Sequence, residues 1–274
     1  MRPFLNIITL VKNNRGCYII DTIKGCSYLK INSNGCYNDC YAKNIISRYK
    51  EFDFTKTIER KFIYNKNQKY MFNFYDDKHE NQIIQKIKKI NMPFVRIGEM
   101  GDPSENWLHT INICKIISYA KKPIIIITKH WETIPNNLLK EIKKLNIYIN
   151  TSISALDNDY EIEHRLNQFN RIKHYCNSVL RIVSCDFNKN NYEGRIRSKI
   201  QERLFKNNKI IDTAFRPNIN NPLVINKVIN IEEKQFLKSK AIVSLFNKNT
   251  YLGRCESCPE MCGINLFKNV DKVN

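Results

Sequence analysis

Apolar and polar positions alternate along most of this chain with two different periods. Short apolar runs rich in β-branched residues read as buried strands: PFVRIGEM (93–100), PIIIITK (123–129), NIYINTSIS (146–154) and SVLRIVSCDF (178–187). Between and after them, apolar residues recur every three or four positions in ENQIIQKIKKI (80–90), ENWLHTINICKIISYAKK (105–122), IPNNLLKEIKKL (134–145), DYEIEHRLNQFNRIKHYC (159–176) and YEGRIRSKIQERLF (192–205). That spacing predicts helices. GCYIIDTIK (16–24) opens the series as a strand, CYAKNIISRYK (40–50) reads as a helix, and KIIDTAFRP (209–217) closes the series as a strand. The stretch 51–77 has no clear period.

About six βα units result, which predicts an α/β fold. Sequential strands joined by helices run parallel, with both sheet faces covered. The sheet is either doubly wound or curled into a partial barrel, and in both the loops at the strands' C-terminal ends carry the chemistry. The cysteine-bearing loop after the first strand lies at such an end, as do EMGDPSENW, TKHWE, SISALD and SCDFN. From 218 onward the alternation stops. NPLVINKVINI and KAIVSLF read as short strands or a meander, and GRCESCPEMCGINLF follows. Residues 218–274 are therefore expected to form a C-terminal cysteine-rich extension of a main unit spanning 1–217.

The chain has 274 residues, 42% of them apolar, enough for a sizeable core. No apolar run reaches the length of a membrane span, and MRPFLNIITLVKNNRG lacks the long apolar region of a signal peptide. A cytoplasmic protein is expected, where thiols stay reduced, so the ten cysteines point to metal binding or catalysis and not to disulfides. The net charge of +19 attracts polyanions such as nucleic acid. It equally fits a lysine-, asparagine- and isoleucine-rich composition of the kind an AT-rich genome encodes, because the charge is spread without a dense basic block.

GCSYLKINSNGCYNDCYA (25–42) places Cys26, Cys36 and Cys40 in one loop with C-x9-C-x3-C spacing. Three soft thiolates favour iron–sulfur or zinc. A four-iron cluster held by three cysteines leaves one iron open to a small ligand. A zinc site completed by a distant residue, or three unrelated thiols, would give the same spacing.

Gly25-Cys26 at one end of this loop and Cys40-Tyr41-Ala42 at the other resemble the radical S-adenosylmethionine enzymes, in particular the branch similar to spore photoproduct lyase. The usual spacing there is C-x3-C-x2-C, from which this chain departs. Cys17 is the other candidate for the first ligand, but it lies at the start of the strand, the opposite end from the loop. RIGEMGDP, IITKH and NTSISALDNDYEIEHRL resemble further segments of that branch in the same order, so that the likeness covers residues 16 to 190.

The resemblance implies a partial (β/α)6 TIM-type barrel. It implies a [4Fe-4S] cluster on Cys26, Cys36 and Cys40 that cleaves S-adenosylmethionine to a 5′-deoxyadenosyl radical. A reductant such as flavodoxin or ferredoxin would supply the electron. It places Glu99 and Asp102 where a carboxylate holds the cofactor's ammonium, and Lys129 where an amine meets its carboxylate. Ser152 and Ser154 share a strand face suited to the ribose or methionine. Arg165 matches an Arg-Leu pair of the branch, and Tyr41 is expected beside the cluster. Each has a plain structural alternative: capping before Pro103 for Asp102, loop hydrogen bonds for the serines, and a surface charge for Lys129 and Arg165.

CESCPEMC adds Cys255, Cys258 and Cys262 with C-x2-C-x3-C spacing, a second metal site for an auxiliary iron–sulfur cluster or for zinc, with its fourth ligand unassigned. Cys185 in SCDF is a candidate hydrogen donor or ligand, or a small buried hydrophobe. His130 and Trp131 could line a cavity or pack the loop. Cys114 and Cys176 read as packing. Two functions follow: a radical enzyme acting on nucleic acid, a peptide or a small metabolite, or a zinc-stabilised nucleic-acid-binding protein without radical chemistry.

Overall fold

A computed structural model describes residues 6–30, 40, 42, 43, 45, 53–63, 78–207, 209–216, 221–230 and 240–268. Cys36 and Tyr41 lie outside the described residues, as does most of the aperiodic stretch. The first strand, β1 (Val11–Lys12), turns back into β2 (Tyr18–Ile20). A small pair, β3 (Ile23–Lys24) and β4 (Ile58–Glu59), runs antiparallel beside the main sheet. Then α1 (Lys78–Lys89), β5 (Val95–Ile97), α2 (Trp107–Ser118), β6 (Ile124–Thr128), α3 (Asn136–Ile142) and β7 (Ile147–Ile153) alternate. The series continues with α4 (Asp159–Ile172), β8 (Asn177–Ser184), α5 (Tyr192–Leu204) and β9 (Ile210–Ala214).

The sheet has seven strands in the order β1-β2-β5-β6-β7-β8-β9. β2 and β5 through β9 are parallel, and β1 is antiparallel to β2. The six parallel strands are those the apolar runs predict. Strand order follows chain order, as in a half barrel, but among the described residues no pairing joins β9 to β1, so the sheet is open. The isoleucines of β6 and β7 are buried because helices cover one side and loops and the C-terminal segment the other. The largest core cluster packs Ile83, Ile87, Ile111, Ile117, Leu139 and Ile142 of the helices against the sheet.

Asparagines start three helices: Asn106, Asn158 and Asn191 accept from the amides of His109, Glu161 and Glu193. These caps satisfy amides that have no partner within the helix. The strand expected over 16–24 is two pieces. Asp21 ends the first by accepting from the Glu99 and Met100 amides at 2.8 and 3.1 Å, and Ile23–Lys24 then pairs with β4 instead.

The two apolar segments of the extension contribute β10 (Lys227–Asn230) and β11 (Lys240–Val243), which pair antiparallel. Single bridges from Phe187 to Val224 and from Phe215 to Ser244 tie the extension to the ends of β8 and β9. Beyond it, Cys255–Ser257 and Met261–Leu266 are short 3-10 turns, and Cys255 and Ile264 belong to the main core cluster. The extension shares the core of the sheet.

Candidate functional site

The loop that leaves the first parallel strand is held against the loop after β5. Gly25 donates to Met100 O at 2.9 Å, Asp102 N donates to Gly25 O, and Gly25 bridges Gly101. Gly25 has φ +86°, and a Cβ there would lie 2.0 Å from Lys56 O; one on Gly101 would lie 2.3 Å from Ile23 O. Only glycine permits this approach. It delivers Cys26 into a small apolar nest with Ala42 and Phe54, where Cys40, Tyr28 and Met100 also pack. The two described cysteines of the first loop therefore come together.

Burial pushes the Cys26 thiol above its ordinary range, and the nearby charges of Asp102 and Glu105 add to this. A bound cation would reverse that preference, since metal ligation deprotonates a thiol. The Cys26 sulfur, a Glu105 oxygen and a His130 ring nitrogen all lie within 4.8 Å of one another. Glu105 also accepts from the Ser27 amide at 2.7 Å and its hydroxyl at 2.8 Å, fixing the start of the loop. His130 meets Glu132 at 2.8 Å through Nε2 and the edge of the Tyr28 ring at 4.4 Å. Its Nδ1 is buried without a hydrogen-bond partner, 3.6 Å from Glu105. The Cys26 sulfur beside an orphaned imidazole nitrogen, with Cys40 packed in the same nest, forms a donor set that fits a thiolate-bound metal centre.

Asp102 is the hub of the neighbouring loops. Its carboxylate accepts from Thr128 Oγ1 at 2.6 Å, the Lys129 and His130 amides at 2.8 Å each, and the Ser104 amide and hydroxyl at 2.9 and 2.8 Å. It caps the turn at Pro103–Asn106 and ties the end of β6 to the end of β5. Lys129 points to Asp157, with Nζ 2.8 and 2.9 Å from its two oxygens. Arg165 is 2.6 Å from the same carboxylate and 3.6 Å from Glu161. Asp157 is fully buried; burial disfavours its charge, but Lys129 and Arg165 outweigh this and hold its carboxyl below the usual range.

Ser154 donates to Val183 O at 3.0 Å and accepts from Leu156 N, the loop hydrogen bonds of its plain alternative. Ser152 is buried on the same side of β7 as Asn150 and lies level with Arg181 of β8. Glu99 accepts from Asn13 and Arg96 at 2.8 and 3.1 Å.

Among the other candidates, Cys185 is buried, and its backbone makes two 2.8 Å hydrogen bonds with the Gln201 amide group. Burial pushes its thiol up, so it stays a neutral S–H. Trp131 is a core residue that donates to Thr151 and tilts against Trp107. Cys114 and Cys176 are packed by helices, and burial raises both thiols to about 12. Glu105 and Asp157 were not singled out from the sequence. Both sit in loops recognised there as strand ends, but nothing local marks an acidic residue as facing inward.

Cys255, Cys258 and Cys262 lie at the opposite end of the first parallel strand, next to Cys17. The neighbouring Cys17 thiol holds the Cys255 thiol below its ordinary range; burial opposes this, and Arg15, Arg96 and Arg181 add to the lowering. Cys262 lies close enough to Cys17 for their charges to interact, and Cys258 likewise to Cys262.

No protein-family model matches the sequence, and no curated protein does. Among solved structures, the fold is similar to that of spore photoproduct lyase. One matched structure is a double mutant of that enzyme with bound AdoMet and dinucleoside spore photoproduct. The TM-score is 0.50 at 12% identity, over 87% of this chain and 72% of the other. At that identity the likeness establishes the fold alone. It is the same branch that the cysteine loop and the strand-end segments resemble in sequence.

Proposed function

We propose that the chain is a radical S-adenosylmethionine enzyme whose cluster is held by Cys26, Cys36 and Cys40. The observation that carries this reading is the meeting of Cys26 and Cys40 at the C-terminal end of the first parallel strand, in a fold similar to spore photoproduct lyase. When bound, a [4Fe-4S] cluster with S-adenosylmethionine supplies a reductively generated carbon radical. The chain's own residues do the rest. Gly25 and Gly101 let two loops close on each other, Glu105 fixes Ser27 beside the first ligand, and Phe54 and Met100 keep water from the sulfurs. Asp102 and the Lys129–Asp157–Arg165 group hold the strand-end loops in place, the Ser154 hydroxyl ties the loop after β7 to Val183 O, and Ser152 lies on the strand beside them. The charge of +19 supports a polyanionic substrate.

The test is anaerobic reconstitution with iron and sulfide, then reduction with dithionite in the presence of S-adenosylmethionine. Wild type and Cys114→Ala are expected to release 5′-deoxyadenosine, and Cys26→Ala and Cys40→Ala to release none. Equal release from all four proteins would sink the assignment. Zinc with no iron uptake at this loop would favour a binding protein instead.

A further inference from the structure

The C-terminal cysteines lack a fourth ligand in the sequence pattern, and the fold brings Cys17 into one packed cluster with Cys255. Cys17 is separated from Cys255 by most of the chain, yet the segments that carry them are bound together. Cys255 N donates to Arg15 O at 2.7 Å. Arg15 donates to Gly253 O through Nη2 at 2.6 Å and Nε at 3.1 Å, and Lys12 pairs with Glu256 at 2.6 Å. The hairpin that presents Cys17 is itself set by Asn13, whose Oδ1 accepts from the amides of Arg15 and Cys17 at 3.0 Å each.

The tail is bent to match. Met261, Cys262 and Gly263 have φ of +45°, +52° and +98°, a left-handed run that is unfavourable for the two non-glycine residues. The bend lets Cys262 pack against the cluster containing Cys17 and Cys255, and its carbonyl accepts from Asn150 Nδ2 at 3.1 Å. Cys17 is fully buried and Cys255 is 8% exposed. Arg15, Arg96 and Arg181 lie around these sulfurs, where they would balance the net negative charge of four thiolates on a divalent ion. Cys262 packs against the cluster that holds Cys17 and Cys255, and Cys258 N donates to Cys255 O at 3.3 Å, but among the described residues no three of the four sulfurs lie within 4.8 Å of one another.

We propose that Cys17, Cys255, Cys258 and Cys262 form a closed four-thiolate site for one thiophilic metal centre, a zinc ion or an iron–sulfur cluster, that fastens the tail to the N-terminal hairpin. A site with four protein ligands keeps no open position, so it is structural and separate from the strand-end loop. It stands or falls independently of the radical chemistry.

The experiment uses the full chain carrying Cys26→Ser and Cys40→Ser, purified anaerobically, so that the strand-end loop contributes no metal. Elemental analysis is expected to find about one zinc ion, or about four iron with matching sulfide, per chain. X-ray absorption at that metal's edge is expected to show four sulfur neighbours from the protein for zinc, or a cluster with no oxygen or nitrogen ligand for iron. Adding Cys17→Ser should cut metal content at least about tenfold, or replace one sulfur by oxygen in the first shell. Three sulfurs with one oxygen or nitrogen before Cys17 is changed would overturn the proposal. So would unchanged metal content and spectrum in Cys17→Ser, or a metal-free chain with a Cys17–Cys255 disulfide. The absorption spectrum of the Cys17-containing protein decides the question even where Cys17→Ser does not fold.

Discussion

Asp157 sets the charge balance of the strand ends. Lys129 and Arg165 both carry their charge into a buried loop, and one carboxylate serves them both. Removing it leaves two buried cations facing each other, so Asp157→Asn is expected to cost about 3–5 kcal/mol in urea unfolding at neutral pH. Because the folded carboxyl is held below its usual range, its contribution is present above the unfolded value of about 4 and is lost as pH falls through the folded one. The stability gap between wild type and Asp157→Asn is thus expected to narrow on acidification. A gap that stays constant down to the acid transition would contradict the assignment. The sequence displayed Lys129 and Arg165 as cations near an expected cofactor, but their partner was hidden. An aspartate in a polar loop reads as solvated until the neighbouring strands are laid beside it.

Among the elements, the decisive one is the break in the first parallel strand. Periodicity made 16–24 a single strand because its apolar positions continue through Ile23. A carboxylate capping two amides of the next loop is a long-range effect that no local pattern carries. The break turns Gly25 toward Gly101, and the two glycines set the spacing of the cysteine loop. Gly25→Ala requires a left-handed alanine, about 1–2 kcal/mol, and a further 1–3 kcal/mol of overpacking against Lys56 O. Gly101→Ala meets Ile23 O and is expected to incur the overpacking alone. Thermal unfolding reads both losses, and iron uptake on reconstitution should fall further in Gly25→Ala, since that substitution sits next to Cys26. Equal uptake by both variants and wild type would show that the cysteine loop tolerates a wider spacing.

At the scale of the whole molecule, the six parallel strands were legible because each is a buried apolar run between amphipathic helices. The open edge and the seat of the tail were not. They depend on contacts between residues that the chain separates widely, such as Gly263 against Val179 and Lys209 reaching Leu266 O. The tail covers one side of the sheet around Asn150 and Val179, with Phe267 packed on Tyr148. A chain ending at Leu252 would lose Ile264 and Phe267 and uncover the face beneath them. At about 1.5–3 kcal/mol for each large apolar side chain, the expected loss is at least about 3 kcal/mol, with self-association visible by size-exclusion chromatography. A truncated chain that remains monomeric with unchanged thermal stability would mean the tail contributes little to the core.

The grip of Arg15 on Gly253, 238 residues away, has a consequence during synthesis. The hairpin leaves the ribosome early, and its partner is translated roughly 10 to 50 s later at ordinary elongation rates. Over that interval the nascent sheet exposes the surface the tail will occupy, with a reduced sulfur waiting at its rim. Closure of this contact is therefore timed by translation of the segment around Gly253.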